Sequence, residues 1–87
     1  MAAFFREKSG LKAVIAQEEY LPMLVKRGFK LLSESGKLSK TAVNVMSVYE
    51  SKGLEFSAVA VYERGMSENE KYIAYTRALA ELAIVEE

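Results

Sequence analysis

TAVNVMSVYESKGLEFSAVAVY, residues 41–62, is the stretch that decides the fold. Thr41 to Val48 sets Val43 and Val45 against Asn44 and Ser47, an alternation that predicts a strand. A polar turn follows, running Ser51-Lys52-Gly53-Leu54-Glu55-Phe56. Ala58 to Tyr62 (AVAVY) then predicts another strand, whose small and β-branched residues suit a sheet covered by helices on both faces. Nine residues separate Val48 from Ala58, whereas a parallel crossover ordinarily takes about a dozen. The connection is therefore either a one-turn helix between parallel strands or an antiparallel return.

Outward from this centre, Lys12 to Ala16 (KAVIA) is an apolar, β-branched run bounded by Gly10 and a polar pair, which predicts a buried strand. From Glu18 to Arg27 the residues Tyr20, Leu21, Leu24 and Val25 recur at helical spacing. Pro22 falls in the first turn, where its missing N–H costs little, and Gly28 is placed to cap the end. Phe29 to Ser33 predicts a second strand, and Ser35-Gly36-Lys37 carries turn chemistry. Ser67 followed by Glu70 is a capping box. It opens a predicted helix over Glu68 to Ala80, with Tyr72, Ile73, Thr76 and Ala80 on one side and Leu79 near its end. Leu82 to Val85 predicts the last strand. The order β-α-β-β-β-α-β argues for an α/β fold, a largely parallel sheet with helices packed on it.

The chain has 87 residues, so a single domain over 1–87 is expected, with a core that buries only about 60 to 65 % of the unfolded surface. Hydrophobic residues make up 51 % and charged residues 28 %, a balance that excludes intrinsic disorder. Twelve basic and twelve acidic residues cancel, so no overall positive field attracts nucleic acid and any such contact is local. There is no Cys, His or Asp, which removes disulfides, thiol catalysis, zinc-finger patterns and His-base mechanisms. No metal site is expected. Apolar runs fall far short of the roughly 20 residues that span a bilayer, and the first residues lack a signal-peptide core. A cytoplasmic protein with no membrane contact is the expectation.

Two segments carry chemistry beyond this frame. The first is Val45 to Phe56 (VMSVYESKGLEF), a strand and polar turn in which Gly53 permits a close backbone approach and Ser47, Tyr49, Ser51 and Lys52 offer donors to a phosphate chain. The second is Lys71 to Ala78 (KYIAYTRA), ending in Arg77, whose permanently charged planar guanidinium suits stabilisation of a transferred phosphoryl group. Taken singly, the first reads as a solvated loop and the second as an amphipathic helix with a surface Arg. Together, and in this order, they resemble helicase motifs V and VI of the UvrD/Rep-type superfamily 1 DNA helicases. The resemblance covers Thr41 to Glu87, and the short spacing between the motifs is similar to that in the helicase-IV/HelD-like branch.

The resemblance implies a small RecA-like, P-loop NTPase-like domain, the C-terminal motor half of such a helicase. It assigns Arg77 as the arginine finger, Glu55 as the acceptor for the ATP ribose, and Gly53 as part of the same nucleotide site. Ser47, Tyr49 and Lys52 fall where relatives contact single-stranded DNA, although relatives often carry His at the position of Tyr49 and Asp or Pro at that of Ser57. ATP with Mg2+ is the implied cofactor. It would be bound mainly by an upstream P-loop domain, because the glycines at 10, 28, 36, 53 and 65 form no G-x-x-x-x-G-K-[ST] loop. The chain is then either an excised domain of a longer helicase or a truncated gene product. The other reading is a non-catalytic interaction module of a HelD-like protein acting on RNA polymerase.

Overall fold

The computed structural model describes residues 2–6, 10–31 and 37–85. Helix α1 (Ala2–Phe5) precedes strand β1 (Lys12–Ala16). A 3-10 turn (Glu18–Tyr20) leads into helix α2 (Leu21–Lys26), followed by strands β2 (Lys30–Leu31) and β3 (Asn44–Ser47). Helix α3 (Val48–Ser51), strand β4 (Phe56–Tyr62), helix α4 (Glu68–Tyr75) and strand β5 (Ala78–Val85) complete the chain. The five strands form one sheet in the order β2-β3-β1-β4-β5, and each neighbouring pair is parallel. This is the expected α/β class. No helix among the described residues is long and apolar enough to cross a membrane.

β1 is the centre of the sheet and is buried along its whole length. Its alternating side chains supply both cores. Val14 and Ala16 pack with Phe5 of α1, Leu21 and Leu24 of α2, and Val45. On the opposite face Ala13 and Ile15 pack with Met46, Val48 of α3, Val59, Val61 and Ala74 of α4. The result is an α/β/α sandwich in which a strand apolar but for its first residue, the buried Lys12, is stable only because both faces are covered. Full burial of side chains such as Ile15 or Val14 contributes about 1.5–3 kcal/mol each.

The short connection after β3 is resolved in favour of a one-turn helix between parallel strands. β3 and β4 are not neighbours, since β1 lies between them. The chain turns at Ser47, whose Oγ accepts the Glu50 N–H at 3.1 Å while the Glu50 carboxylate accepts the Ser47 N–H at 3.0 Å. This capping box starts α3 at Val48, a residue the alternation assigned to the strand. Asn44, read as part of a polar face, is fully buried. Its amide donates to the carbonyls of Lys12 and Ser39, 3.0 Å each, and accepts the Ser39 N–H at 2.7 Å, so the cost of burying it is offset.

The helix expected over Glu18 to Arg27 divides into the 3-10 turn and α2, with Pro22 in the first turn of α2 as anticipated. The Gly28 N–H donates to Val25 O at 3.0 Å and the Phe29 N–H to Leu24 O at 3.4 Å, the paired bonds of a Schellman cap. The strand expected over Phe29 to Ser33 is seen at Lys30–Leu31. Residues 32 and 33, and 35 and 36 of the expected turn, lie outside the described residues.

The largest departure is at the end of the chain. α4 begins at its predicted capping box but stops at Tyr75, and Leu79 and Ala80 belong to an eight-residue β5. An apolar run such as ALAELAIV satisfies helix and strand patterns alike. Strand pairing decides it: Ala78 to Val85 is parallel to β4, and the Phe56 N–H donates to Arg77 O at 2.8 Å where that pairing starts.

At the start of β4, Leu11 O accepts N–H groups from both Ser57 (2.9 Å) and Ala58 (3.4 Å), and the β4–β5 register shifts between Phe56 and Ala58. Gly10 lies against this irregularity with φ +82°, and a Cβ there would meet Ser57 Oγ at 2.5 Å. Gly10→Ala combines a left-handed backbone with that clash. It should lower the unfolding free energy by about 1–3 kcal/mol in urea denaturation followed by circular dichroism. An unchanged midpoint would contradict the assignment of this turn.

Candidate functional site

The topology defines a crevice before any side chain is considered. The chain leaves β1 towards β2 on one side and leaves β4 towards β5 on the other. The carboxyl ends of β1 and β4 therefore flank a switch point, the place where parallel sheets open a cleft. Gln17 directly follows β1 and ties the two sides together. Its Nε2 donates to Gly65 O at 3.0 Å and to both Glu70 carboxylate oxygens at 3.1 Å. Glu70 in turn closes the α4 capping box, accepting the Ser67 N–H at 2.8 Å while Ser67 Oγ accepts the Glu70 N–H at 3.1 Å.

Beside this clamp runs an open groove of about 630 Å3, lined by Gln17, Glu18, Glu19, Ser47, Tyr49 and Glu70. Three of the six are glutamates and none is basic. The Glu70 carboxyl is held below its ordinary value chiefly by the hydrogen bond from the Ser67 backbone N–H; desolvation opposes this, and the side-chain bonds with Gln17 and Ser67 lower it further. It is anionic at neutral pH. No group of three or more acidic side chains among the described residues is arranged to hold a metal ion.

The residues expected to contact DNA divide around this groove. Ser47 lines it but is buried, and its hydroxyl oxygen serves as the cap of α3. Tyr49 projects from the first turn of α3 and is 78 % exposed. Lys52, also exposed, places its ammonium 5.4 Å from the centre of the Tyr49 ring, within cation–π range.

The residues expected at the nucleotide are at the other end of the strands. Glu55 is exposed and immediately precedes β4; Arg77 immediately precedes β5. The 2.8 Å bond from the Phe56 N–H to Arg77 O makes the two positions neighbours. Arg77 was expected within a helix, and the structure corrects this: it stands in the turn after α4. Its side chain folds back onto the helix end, with Nε donating to Ile73 O at 3.2 Å and Nη2 to Thr76 Oγ1 at 3.1 Å. Thr76 Oγ1 also donates to Ile73 O at 2.9 Å. These bonds use two of the five guanidinium N–H donors and orient the rest. Gly53 has φ +82° with open space where a Cβ would stand, so its conformation serves the turn between α3 and β4 rather than a tight approach within this domain.

The structure thus brings Glu55 and Arg77 together, and Ser47, Tyr49 and Lys52 together, at opposite edges of one sheet. Sequence reasoning missed the Gln17–Glu70 clamp, a contact between residues 53 apart in the chain, and the Ser47–Glu50 box. The latter was open to detection, because it repeats the S-x-x-E spacing already recognised at Ser67. No protein-family model matches the chain, and no curated protein is similar enough to stand as a relative.

The clamp carries a pH signature. A carboxylate whose folded pKa is depressed contributes stability that is complete above its ordinary value of 4.5 and is lost as the pH falls through the lower folded value. The melting temperature should therefore drop on acidification below pH 4.5, and Glu70→Gln should flatten part of that drop. Ser67→Ala should cost about 0.5–2 kcal/mol through loss of the cap. Parallel acid profiles for the wild type and Glu70→Gln, measured by thermal melts, would remove Glu70 from this role.

Proposed function

We propose that the chain is the C-terminal RecA-like motor domain of a UvrD/Rep-type superfamily 1 DNA helicase or translocase. Arg77 acts as the arginine finger and Glu55 as the ribose acceptor, with Gly53 in the connecting turn. They complete an ATP–Mg2+ site held mainly by an upstream P-loop domain. The observation that carries this reading is the convergence of Glu55 and Arg77 on adjacent strand starts, which gives one end of the sheet a carboxylate and a guanidinium with three N–H donors beyond those bound to Ile73 and Thr76. An ATP bridging two domains needs that pair: a carboxylate for the sugar, and a permanent positive charge for the oxygens of the transferred phosphoryl group.

The phosphates themselves have no cradle in this domain. The N-terminus of α4 is a poor phosphate site, because Glu68 and Glu70 occupy its first turn and the capping box uses its N–H groups. Hydrolysis therefore depends on the P-loop partner, and opening and closing of the shared cleft would move single-stranded DNA past the opposite edge. There, Tyr49 and Lys52 suit a stacked base and its phosphate, while the three glutamates of the groove keep the phosphate chain on the Lys52 side. The acidic groove also gives the second reading its support. A basic surface of a protein such as RNA polymerase would fit it, as a HelD-like interaction module requires.

The isolated chain should hydrolyse no ATP above background. In the full-length protein that carries the P-loop domain, Arg77→Ala should leave ATP binding nearly intact and lower kcat by about 10³-fold or more. Arg77→Lys should rescue little, since a point charge does not reproduce the fork. Melting should shift by no more than about 1 kcal/mol, as the side chain of Arg77 is half-buried and makes one part-buried and one exposed hydrogen bond at a helix end. A mutant that keeps full kcat in its folded fraction would refute the arginine-finger assignment. Retention of RNA polymerase binding with no ATPase in the wild type would favour the interaction module.

A further inference from the structure

The last turn of α4 is tightened, and this opens one carbonyl to side chains. The Thr76 N–H donates to Tyr72 O at 3.1 Å, but the Arg77 N–H donates to Ala74 O at 3.2 Å, one residue short of the Ile73 O that a regular helix would use. Two side chains take Ile73 O instead: it accepts Thr76 Oγ1–H at 2.9 Å and Arg77 Nε–H at 3.2 Å. With its single proton committed to Ile73 O, the Thr76 hydroxyl can meet Arg77 only as an acceptor, and it takes Nη2–H at 3.1 Å. The backbone of Arg77 is fixed as well, since its carbonyl accepts the Phe56 N–H at 2.8 Å.

We propose that Thr76 is the positioning residue of Arg77: its hydroxyl fixes the plane of the guanidinium and so decides which N–H donors meet the transferred phosphoryl group. The proposal rests on the arginine-finger reading of Arg77. A guanidinium is planar, with Nε–H and one Nη2–H along one side and a parallel pair from Nη1 and Nη2 across its end. The bond to Ile73 O alone is an ordinary pairing of a cation with the carbonyl end of a helix, and it leaves the head free to rock about one contact. A second bond on the same side, to Thr76 Oγ1, removes that freedom. It holds the side-on pair against the helix end and leaves the end-on pair whole, in the form that grips two oxygens of one phosphate. Donors oriented beforehand stabilise developing charge without reorganising as the reaction proceeds, which is how positioning becomes rate.

Two substitutions separate the hydroxyl from the rest of the side chain. Thr76→Val keeps the β-branched shape and removes both hydroxyl bonds, whereas Thr76→Ser keeps the hydroxyl. In 15N spectra of the 87-residue chain, Arg77 should show separate Nη1 and Nη2 signals from restricted rotation about Nε–Cζ. The exposed Arg64, whose guanidinium lies 5.9 Å from the Tyr20 ring, should give an averaged one. Thr76→Val should speed the Arg77 rotation by about fivefold, the weight of one hydrogen bond, and Thr76→Ser should leave it near the wild-type rate. In the full-length protein that carries the P-loop domain, Thr76→Val should lower kcat by about 10- to 100-fold while KM for ATP moves by less than about twofold, and Thr76→Ser should restore most of the loss. A Val variant with the wild-type rotation rate overturns the proposal, as does one with wild-type kcat where Arg77→Ala is impaired; in both cases the arginine finger stands. A loss in Thr76→Val that Thr76→Ser does not restore makes Thr76 a packing residue and also overturns it. Full kcat in Arg77→Ala removes the finger and this proposal together.

Discussion

Everything in this molecule depends on the burial of β1 on both faces and along both edges. Five consecutive buried residues require a strand on each side and a helical layer above and below. A chain of 87 residues meets that demand with very short elements: a two-residue described β2, a four-residue β3 and a one-turn α3. None of these would form in isolation, since a helix of one turn does not recover its nucleation cost. Contact with β1 and its neighbours holds them, and local hydrogen bonds set where each begins. The two capping boxes, at Ser47 and Ser67, fix where the chain stops being strand or loop and starts being helix.

The same constraint separates the two candidate regions. With all strands parallel, every connection runs from the carboxyl edge back to the amino edge, so residues close in sequence can be delivered to opposite ends. Ser47 and Glu55 are eight positions apart yet belong to different edges, joined by α3 passing over one core. Glu55 and Arg77 are far apart in sequence yet adjacent, because β4 and β5 start together. A two-sided domain of this kind suits coupling, in which a nucleotide at one edge and a polymer at the other bias the position of one rigid sheet. The acidic groove gives the carboxyl edge a distinct electrical character, with the Tyr49–Lys52 pair as its positive rim.

The parallel α/β class was legible because β1 and β4 are apolar on both faces and because Ser67 and Glu70 announce α4. The boundaries of β1 were read to the residue. What escaped was tertiary. Ala78 to Ala80 carries no local signal against helix; only the vacant edge of β4 makes it a strand. Asn44 looks like a surface residue until Lys12 and Ser39 are brought to it, and Gln17 acquires its role only when the fold sets it against Glu70. Of the candidate site, Arg77 and Glu55 were singled out by motif, but their proximity followed from strand pairing that no spacing rule contains. Ser47 was read for its hydroxyl and not for its position three residues before Glu50.

The central claim is that nucleotide binds at the amino edge, between the starts of β4 and β5. Titration of the 15N-labelled chain with millimolar ATP–Mg2+, followed by amide chemical shifts, tests it most directly. The account predicts weak binding with shifts concentrated at Gly53 to Phe56 and Thr76 to Ala78, and with Gln17 to Glu19 and Ser67 to Glu70 unmoved. Shifts centred on the Gln17–Glu70 groove, or none at Glu55 and Arg77 at saturating nucleotide, would contradict it.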